Sequence, residues 1–309
     1  MSGTVFITGA NAGVGIATTK TFLSKGWNVA AATRNPDSAA DLKELQKEFP
    51  DQLLIQKLDL DKHETIPSAV EGAISKFSRV DVLVNNAGFG LFVPLELLEM
   101  DTVQKQFEAN VFGPMRLIKA ILPHFHTAPR FRPSRIINVS SGAGWSGFPL
   151  ASAYTASKGA LELLSESLRF ELAAFDPPVR VKVVVPDGGI SQTNFMTTSG
   201  SMLPDVDKAL NITGKVKNTY KTYMTTVFEN FASMSATNME AVEVANRIVE
   251  AATDDKPDRL RYFVGPGQNP SILLTKRLAG PEKERDTPDE IDGRFISFSN
   301  QILSGGTLH

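Results

Sequence analysis

Tyr154 and Lys158 stand four residues apart in a stretch of helical periodicity. That spacing puts both side chains on one helix face, a turn apart. A free phenol titrates near 10, too high to exchange a proton readily at neutrality. A neighbouring ammonium stabilises the phenolate and lowers that value. Tyr154 would then give a proton to a carbonyl oxygen, or take one from an alcohol. Ser140 and Ser141 close a short apolar run and offer hydroxyls to an oxygen on which negative charge grows. Taken singly, a Tyr–Lys pair is also found on ordinary amphipathic surface, and Ser-Ser in an ordinary turn.

A second constellation lies near the start. The run Thr8-Gly9-Ala10-Asn11-Ala12-Gly13-Val14-Gly15 follows an apolar strand-like segment and precedes a helical pattern. Gly9 permits a tight turn, Gly13 lets the backbone approach a pyrophosphate, and Gly15 lets the helix pack close to the sheet. Amides at the helix N-terminus then face the phosphates. The bland alternative is a glycine-rich turn with no ligand. The tip of the second strand is Thr33 followed by Arg34, with no acid there to accept from the ribose hydroxyls of NAD. A guanidinium suits the 2′-phosphate of NADP. The alternative for Arg34 is a solvated surface residue.

The T-G-x-x-x-G-x-G spacing resembles the short-chain dehydrogenase/reductase family, and the likeness extends along the chain. Asn85-Asn86-Ala87-Gly88 follows the fourth strand, Asn110 sits in the next helical pattern, and Tyr154-Thr155-Ala156-Ser157-Lys158 matches Y-x-x-x-K, with Ser141 thirteen residues before the tyrosine. The match runs in order from Thr4 to about Thr193. The resemblance implies an NADP(H)-dependent oxidoreductase interconverting a carbonyl and an alcohol. It implies that Ser141, rather than Ser140, polarises the substrate oxygen and that Lys158 holds the nicotinamide ribose. Asn110 would position a water linking Lys158 to solvent. Asp59, with Leu60, would meet the adenine, and Gly88 would let the backbone pass close to the cofactor. Thr8, Asn11, Val14, Asn86, Ala87, Pro186, Gly188, Ile190 and Thr193 complete the implied cofactor contacts. Asn85 and Asn86 have a competing role as turn residues. The chain departs from the family after the sixth strand: in Pro186-Asp187-Gly188-Gly189-Ile190-Ser191-Gln192-Thr193, Asp187 stands where glycine is common and Thr193 lies farther out than usual. The family's usual dimer seam implies a homodimer or homotetramer through Thr102–Leu122 and Ala153–Ala174.

These residues must be held by alternating elements. Strand-like runs at Thr4–Thr8, Val29–Ala32, Leu53–Lys57, Val80–Val84, Arg135–Val139, Arg180–Val185 and Arg261–Val264 alternate with helical patterns at Val14–Ser24, Ala39–Phe49, Glu64–Phe77, Thr102–Leu122 and Ala153–Ala174. That rhythm predicts a doubly wound, Rossmann-like α/β fold with a parallel sheet of about seven strands. Ligands then bind beyond the carboxyl ends of the strands, where the motifs fall. Asp61-Lys62-His63-Glu64 reads as a capping box, with Asp61 as N-cap of the next helix. One domain is expected over residues 1–280, with residues 190–238 as a substrate lid and 281–309 as a polar tail.

The lid carries Met196, Met202, Met224 and Met234, with Met239 one residue past its end. Tyr220, Met224, Val227, Phe228 and Phe231 form a stripe at helical spacing, more often core than pocket. Phe89, Leu91, Phe92, Trp145 and Phe148 are candidate pocket walls. Few charges accompany them, so the expected substrate is a bulky apolar or aromatic ketone or secondary alcohol. The chain has 309 residues, a formal net charge of -2 and no cysteine. The charge argues against a nucleic-acid partner. The missing cysteines exclude disulfides, thiolate metal sites and a cysteine nucleophile. His63, His124, His126 and His309 show no ligand spacing, so no metal is expected. No apolar run is long enough to span a membrane, and a cytoplasmic location is expected. Two rival readings use the same fold: a non-catalytic dinucleotide sensor, and an epimerase or dehydratase that uses the cofactor transiently. The intact serine, tyrosine and lysine favour simple redox chemistry.

Overall fold

Runs such as Val5-Phe6-Ile7 and Val82-Leu83-Val84 are apolar without alternation, so as strands they must be covered on both faces. The computed structural model describes residues 3–190, 214–233 and 239–265, and there these runs become β1 (Thr4–Thr8) and β4 (Val82–Asn85). The other strands are β2 (Asn28–Thr33), β3 (Leu53–Lys57), β5 (Arg135–Val139), β6 (Arg180–Pro186) and β7 (Arg261–Val264). They form one sheet in the order β3-β2-β1-β4-β5-β6-β7. Every pairing is parallel. The helices are α1 (Gly13–Ser24), α2 (Ala40–Glu48), α3 (Thr65–Phe77), α4 (Met100–Phe107), α5 (Gly113–Phe125), α6 (Ser152–Leu172), α7 (Gly214–Ser233) and α8 (Ala241–Thr253). The architecture is a doubly wound α/β fold of Rossmann type.

Two cores lie on opposite faces of the sheet. On one, α1 buries Gly15, Thr18, Thr19, Phe22 and Leu23, at the spacing of a single helix stripe. That stripe meets Val244, Ile248 and Val249 of α8 in one cluster with Val5, Ile7 and Val29 of the sheet. On the other face, Ile66 and Val70 of α3 and Leu117, Ile118 and Ile121 of α5 pack on Phe6, Leu83 and Ile136. Side chains this fully buried each contribute about 1.5–3 kcal/mol. The chain turns outward from β1 to β2 on one side and to β4 on the other, so the sheet's switch point falls between β1 and β4. The carboxyl ends of the strands form the ligand edge there.

The structure corrects several local expectations. The pattern over Thr102–Leu122 is three segments, α4, a π-helical turn at Glu108–Phe112, and α5. Asp61 does not cap α3, because the helix begins four residues later, at Thr65. Its start is held instead by the Thr65 hydroxyl, which accepts the Asp59 N–H (3.1 Å) and donates to the Lys62 carbonyl (2.8 Å). β4 starts at Val82 rather than Val80 because Asp81 is committed elsewhere: its carboxylate accepts the Thr4 N–H at 2.8 Å and binds Arg79 and Arg132. Helix α8, which the sequence reading leaves unassigned, opens with a capping box between Glu240 and Glu243. The stripe on α7 is core: Met224 and Val227 are buried with Leu91, Val93, Leu97, Leu98 and Leu150. Thr193, Met196, Met202, Met234, the Phe231 side chain and the tail from Pro281 lie outside the described residues.

Candidate active site

The glycine turn follows β1 at the switch point. Gly9 and Gly13 take φ values of 63° and 50°, in the left-handed region that favours glycine. A Cβ on Gly15 would overlap the Gly9 carbonyl oxygen and stand 2.9 Å from the Ala10 Cα, so α1 docks where only glycine fits. The N-cap of α1 is Ala12, which gives no side-chain cap, and the first turn carries no acid. Its leading amides therefore keep their donor capacity for an anion. Arg34 is exposed at the end of β2, and its charge reaches Asp61, lowering a carboxyl that burial and Asp59 raise on balance. Uncapped amides beside a glycine turn and an exposed guanidinium form a donor set suited to the phosphates of a dinucleotide. Asn11 is exposed, and Val14 is half-buried with its side chain against the core.

Thr8 is placed differently from its expected role. Its side chain is buried, and its hydroxyl accepts the N–H groups of Asn86 (3.0 Å) and Ala87 (2.9 Å). Asn86 returns the link by donating to the Thr8 carbonyl at 2.9 Å. Thr8 and Asn86 thus tie the ends of β1 and β4 together, as the turn reading of the asparagines anticipates. Asn85 points inward and donates to Asn138 (2.8 Å), which donates to Ser165 on α6 (2.8 Å). Gly88 is required by a side chain: a Cβ there would stand 2.8 Å from Asn110 Oδ1 and 3.7 Å from Lys158 Nζ. Asn110 lies in the π-helical turn, a feature frequent at functional sites. Its side chain clamps the Phe89 backbone, accepting its N–H (3.1 Å) and donating to its carbonyl (2.9 Å), and also donates to Ser157 (2.9 Å). Asp59 is half-buried and its carboxylate accepts the Asp61 N–H at 3.2 Å, while Leu60 is buried against Gly113.

Ser141 and Tyr154 meet at the carboxyl edge of β5. The alternation of side chains along extended backbone separates the two serines. Ser140 turns inward, 4% exposed, with a hydroxyl that finds no partner among the described residues, whereas Ser141 accepts the Ala143 N–H at 3.2 Å and hydrogen-bonds Tyr154. Lys158 is buried on the same helix face as Tyr154 and donates to the Val139 carbonyl at 2.8 Å. Its Nζ is 6.0 Å from the Tyr154 ring centre. Burial pushes Tyr154 up to about 12, against a smaller lowering by the Ser141 hydrogen bond. Burial brings Lys158 down to about 8, against an opposing pull from Glu162. The phenol is therefore raised here, because desolvation of a phenolate dominates. At neutral pH the pair is a protonated phenol and an ammonium.

Four further residues complete the scaffold and escaped the sequence reading. Gln106 accepts the Leu91 N–H (3.1 Å) and donates to Ser157 (3.3 Å). Ser157 sits inside the Y-x-x-x-K run, and Gln106 and Asn110 share a helix face, which is the signal that was available. Glu162, one turn beyond Lys158, accepts from Arg261 Nε at 3.1 Å, and Arg261 also binds Glu166 at 2.8 Å. Arg261 lies over the Trp145 ring at 4.3 Å, so this expected wall residue is engaged by β7. Phe92 lies 5.7 Å from the Tyr154 ring, and with Phe148 packs around Tyr154, Ala143 and Ala151. Pro186 ends β6, followed by exposed Gly188, and Ile190 forms a parallel bridge with Met239. Among the described residues no group of three or more His, Asp or Glu side chains is arranged to hold a metal ion, and no helix is long and apolar enough to cross a membrane.

A family model described as short chain dehydrogenase matches residues 3–203. The uncharacterized oxidoreductase YusZ of Bacillus subtilis is 33% identical over 274 residues, covering 87% of this chain and 91% of its own. A 3-ketodihydrosphingosine reductase of Bacteroides thetaiotaomicron is 34% identical over 191 residues, 62% of this chain and 65% of its own. A crystal structure of a short-chain dehydrogenase from Streptomyces avermitilis superimposes with a TM-score of 0.71 at 25% identity, covering 100% of this chain and 99% of that one.

Proposed function

The chain is an oxidoreductase of the short-chain dehydrogenase family, and from that premise we propose that it interconverts an apolar ketone or aldehyde and its alcohol with NADP(H). The observation that carries this reading is the meeting of Ser141, Tyr154 and Lys158 on the strand edge that also bears the glycine turn. A bound reduced nicotinamide would supply the hydride. Tyr154, protonated at neutral pH, donates its proton to the carbonyl oxygen, and in the reverse direction a basic form accepts it. Ser141 hydrogen-bonds the same oxygen as charge develops on it. Lys158 keeps a positive charge beside the phenol and is aimed by the Val139 carbonyl. Asn110 acts as a positioning residue, holding Phe89 and Ser157 around that lysine.

The glycine turn and the α1 amides would hold the pyrophosphate, with Asn11, Val14, Ala87, Gly188, Ile190 and Thr193 along the rest of the dinucleotide and Asp59 at the adenine. Arg34 would take the 2′-phosphate. Phe92 and Phe148 beside Tyr154 supply an apolar approach to the reacting oxygen, and a relative is named for a keto substrate. Phe112, Met115, Leu163 and Phe170 are exposed apolar residues on or beside α5 and α6, which favours a dimer or tetramer built on those helices. Turnover of apolar ketones with NADPH, followed by cofactor absorbance, tests the reading. Tyr154→Phe should lower the rate about 10²–10⁴-fold. Binding of neither NADPH nor NADH would overturn it, and a preference for NADH would remove the role of Arg34.

A further inference from the structure

Asp187 occupies a position for which the reaction as proposed has no use. It follows Pro186 at the end of β6, and its N–H donates to the Val264 carbonyl at 2.8 Å. Its side chain turns toward the Ser141 turn. A Cβ on Gly142 would overlap Asp187 Oδ1 and stand 2.6 Å from its Cγ. Residue 142 is the immediate neighbour of Ser141, so the carboxylate lies against the backbone that presents the serine. Gly265 packs in the same way on the Asp187 carbonyl. The side chain is half-buried, and no hydrogen bond or ion pair from a described residue reaches it. A carboxylate partly withdrawn from water and left without a partner is disfavoured, and a group so perturbed is a candidate for function.

Among the described residues no cation pairs with this carboxylate. On α6, Lys158 is bound to the Val139 carbonyl, Tyr154 to Ser141, and Glu162 to Arg261 of β7. On α8, Glu240 and Glu243 cap one another and Arg247 pairs with Glu250. Burial alone raises the Asp187 carboxyl, to about 6. It is therefore ionised at neutral pH and neutral in mild acid.

We propose that Asp187 discriminates between the two charge states of a nicotinamide in this site, its carboxylate favouring the cationic oxidised form over the neutral reduced form. The proposal rests on the dinucleotide reading above. The two forms differ by one positive charge on the ring. A fixed negative charge in a poorly solvated site attracts the cation and leaves the neutral ring nearly unaffected. The consequence is preferential occupancy by the oxidised cofactor, which fades as Asp187 takes up a proton.

Binding of NADP+ and of NADPH to the full chain, without substrate, tests this through quenching of tryptophan fluorescence between pH 5 and pH 8.5. At pH 8 the ratio of the NADPH to the NADP+ dissociation constant should be about tenfold higher in the wild type than in Asp187→Asn. Asp187→Glu should retain much of that ratio. In the wild type the ratio should fall toward the Asn value below about pH 6, while in Asp187→Asn it stays flat. Titration of the 2′-phosphate is common to both forms and cancels. Equal ratios in the wild type and Asp187→Asn at pH 8 would overturn the proposal alone. A wild-type ratio independent of pH would do the same even if the Asn variant failed to fold. Failure of both forms to bind the wild type would overturn the dinucleotide reading, and this inference with it, whereas binding of NADPH without NADP+ would overturn this inference alone.

Discussion

Gly15→Ala isolates the contact on which the glycine turn depends. In the wild type the added methyl would overlap the Gly9 carbonyl oxygen and sit 2.8 Å from its carbon and 2.9 Å from the Ala10 Cα. Carbon pairs settle at roughly 3.5–4.0 Å, so the methyl falls short by about 0.7 Å against backbone on both sides. No rotamer change relieves that, and α1 must shift away from β1. Overpacking of this kind costs about 1–3 kcal/mol, and the better helix propensity of alanine returns about 1 kcal/mol. The net loss expected is about 0–2 kcal/mol. For a domain of this size that is a fall in melting temperature of at most roughly 8 °C. The shift also moves the α1 amides, so NADPH affinity should drop more than stability does. Thermal melts and fluorescence titration measure the two effects separately. A variant with wild-type melting temperature and wild-type NADPH affinity would refute the described approach of α1 to the turn.

Three other outcomes follow from the site and its supports. Lys158 is charged below about 8, so ketone reduction at saturating NADPH should hold at neutral pH and fall above pH 8; a rate profile flat to pH 9.5 would count against its role. Burial lowers His124, whose Nε2 accepts the Val80 N–H at 3.0 Å. The unfolded chain then binds its proton first, so the contribution of His124 to stability is present above about 6.5 and is lost as pH falls from there through its lower folded value. His124→Gln should flatten this slope in denaturant titrations between pH 7 and pH 5. Arg261→Leu would strand Glu162, which is 2% exposed and already has one oxygen without a partner among the described residues. Breaking such a buried pair costs about 3–5 kcal/mol, whereas Arg261→Leu combined with Glu162→Leu should cost less than either change alone, and additive losses would show that the pair does not act as a unit.

The sequence by itself determined the fold class, because β-rich apolar runs alternating with helical stripes leave a two-sided parallel sheet as their means of burial. It also determined where chemistry would lie, since glycines and polar residues placed just after strands fall on one edge of such a sheet. Spacing alone put Tyr154 and Lys158 on one helix face. What it could not determine depends on contacts between residues far apart in the chain. The inward turn of Ser140 and the outward turn of Ser141 follow from where β5 ends against β6. The clamp of Asn110 on Phe89 exists only because a π-helical turn meets the end of β4. Thr8 ties β1 to β4 through bonds spanning nearly eighty residues. Helix α8 carries an apolar stripe along its whole length, but its place against α1 is a tertiary contact. The charge states of Tyr154, Lys158 and Asp187 were the least legible, because burial sets them, and burial is a property of the assembled chain.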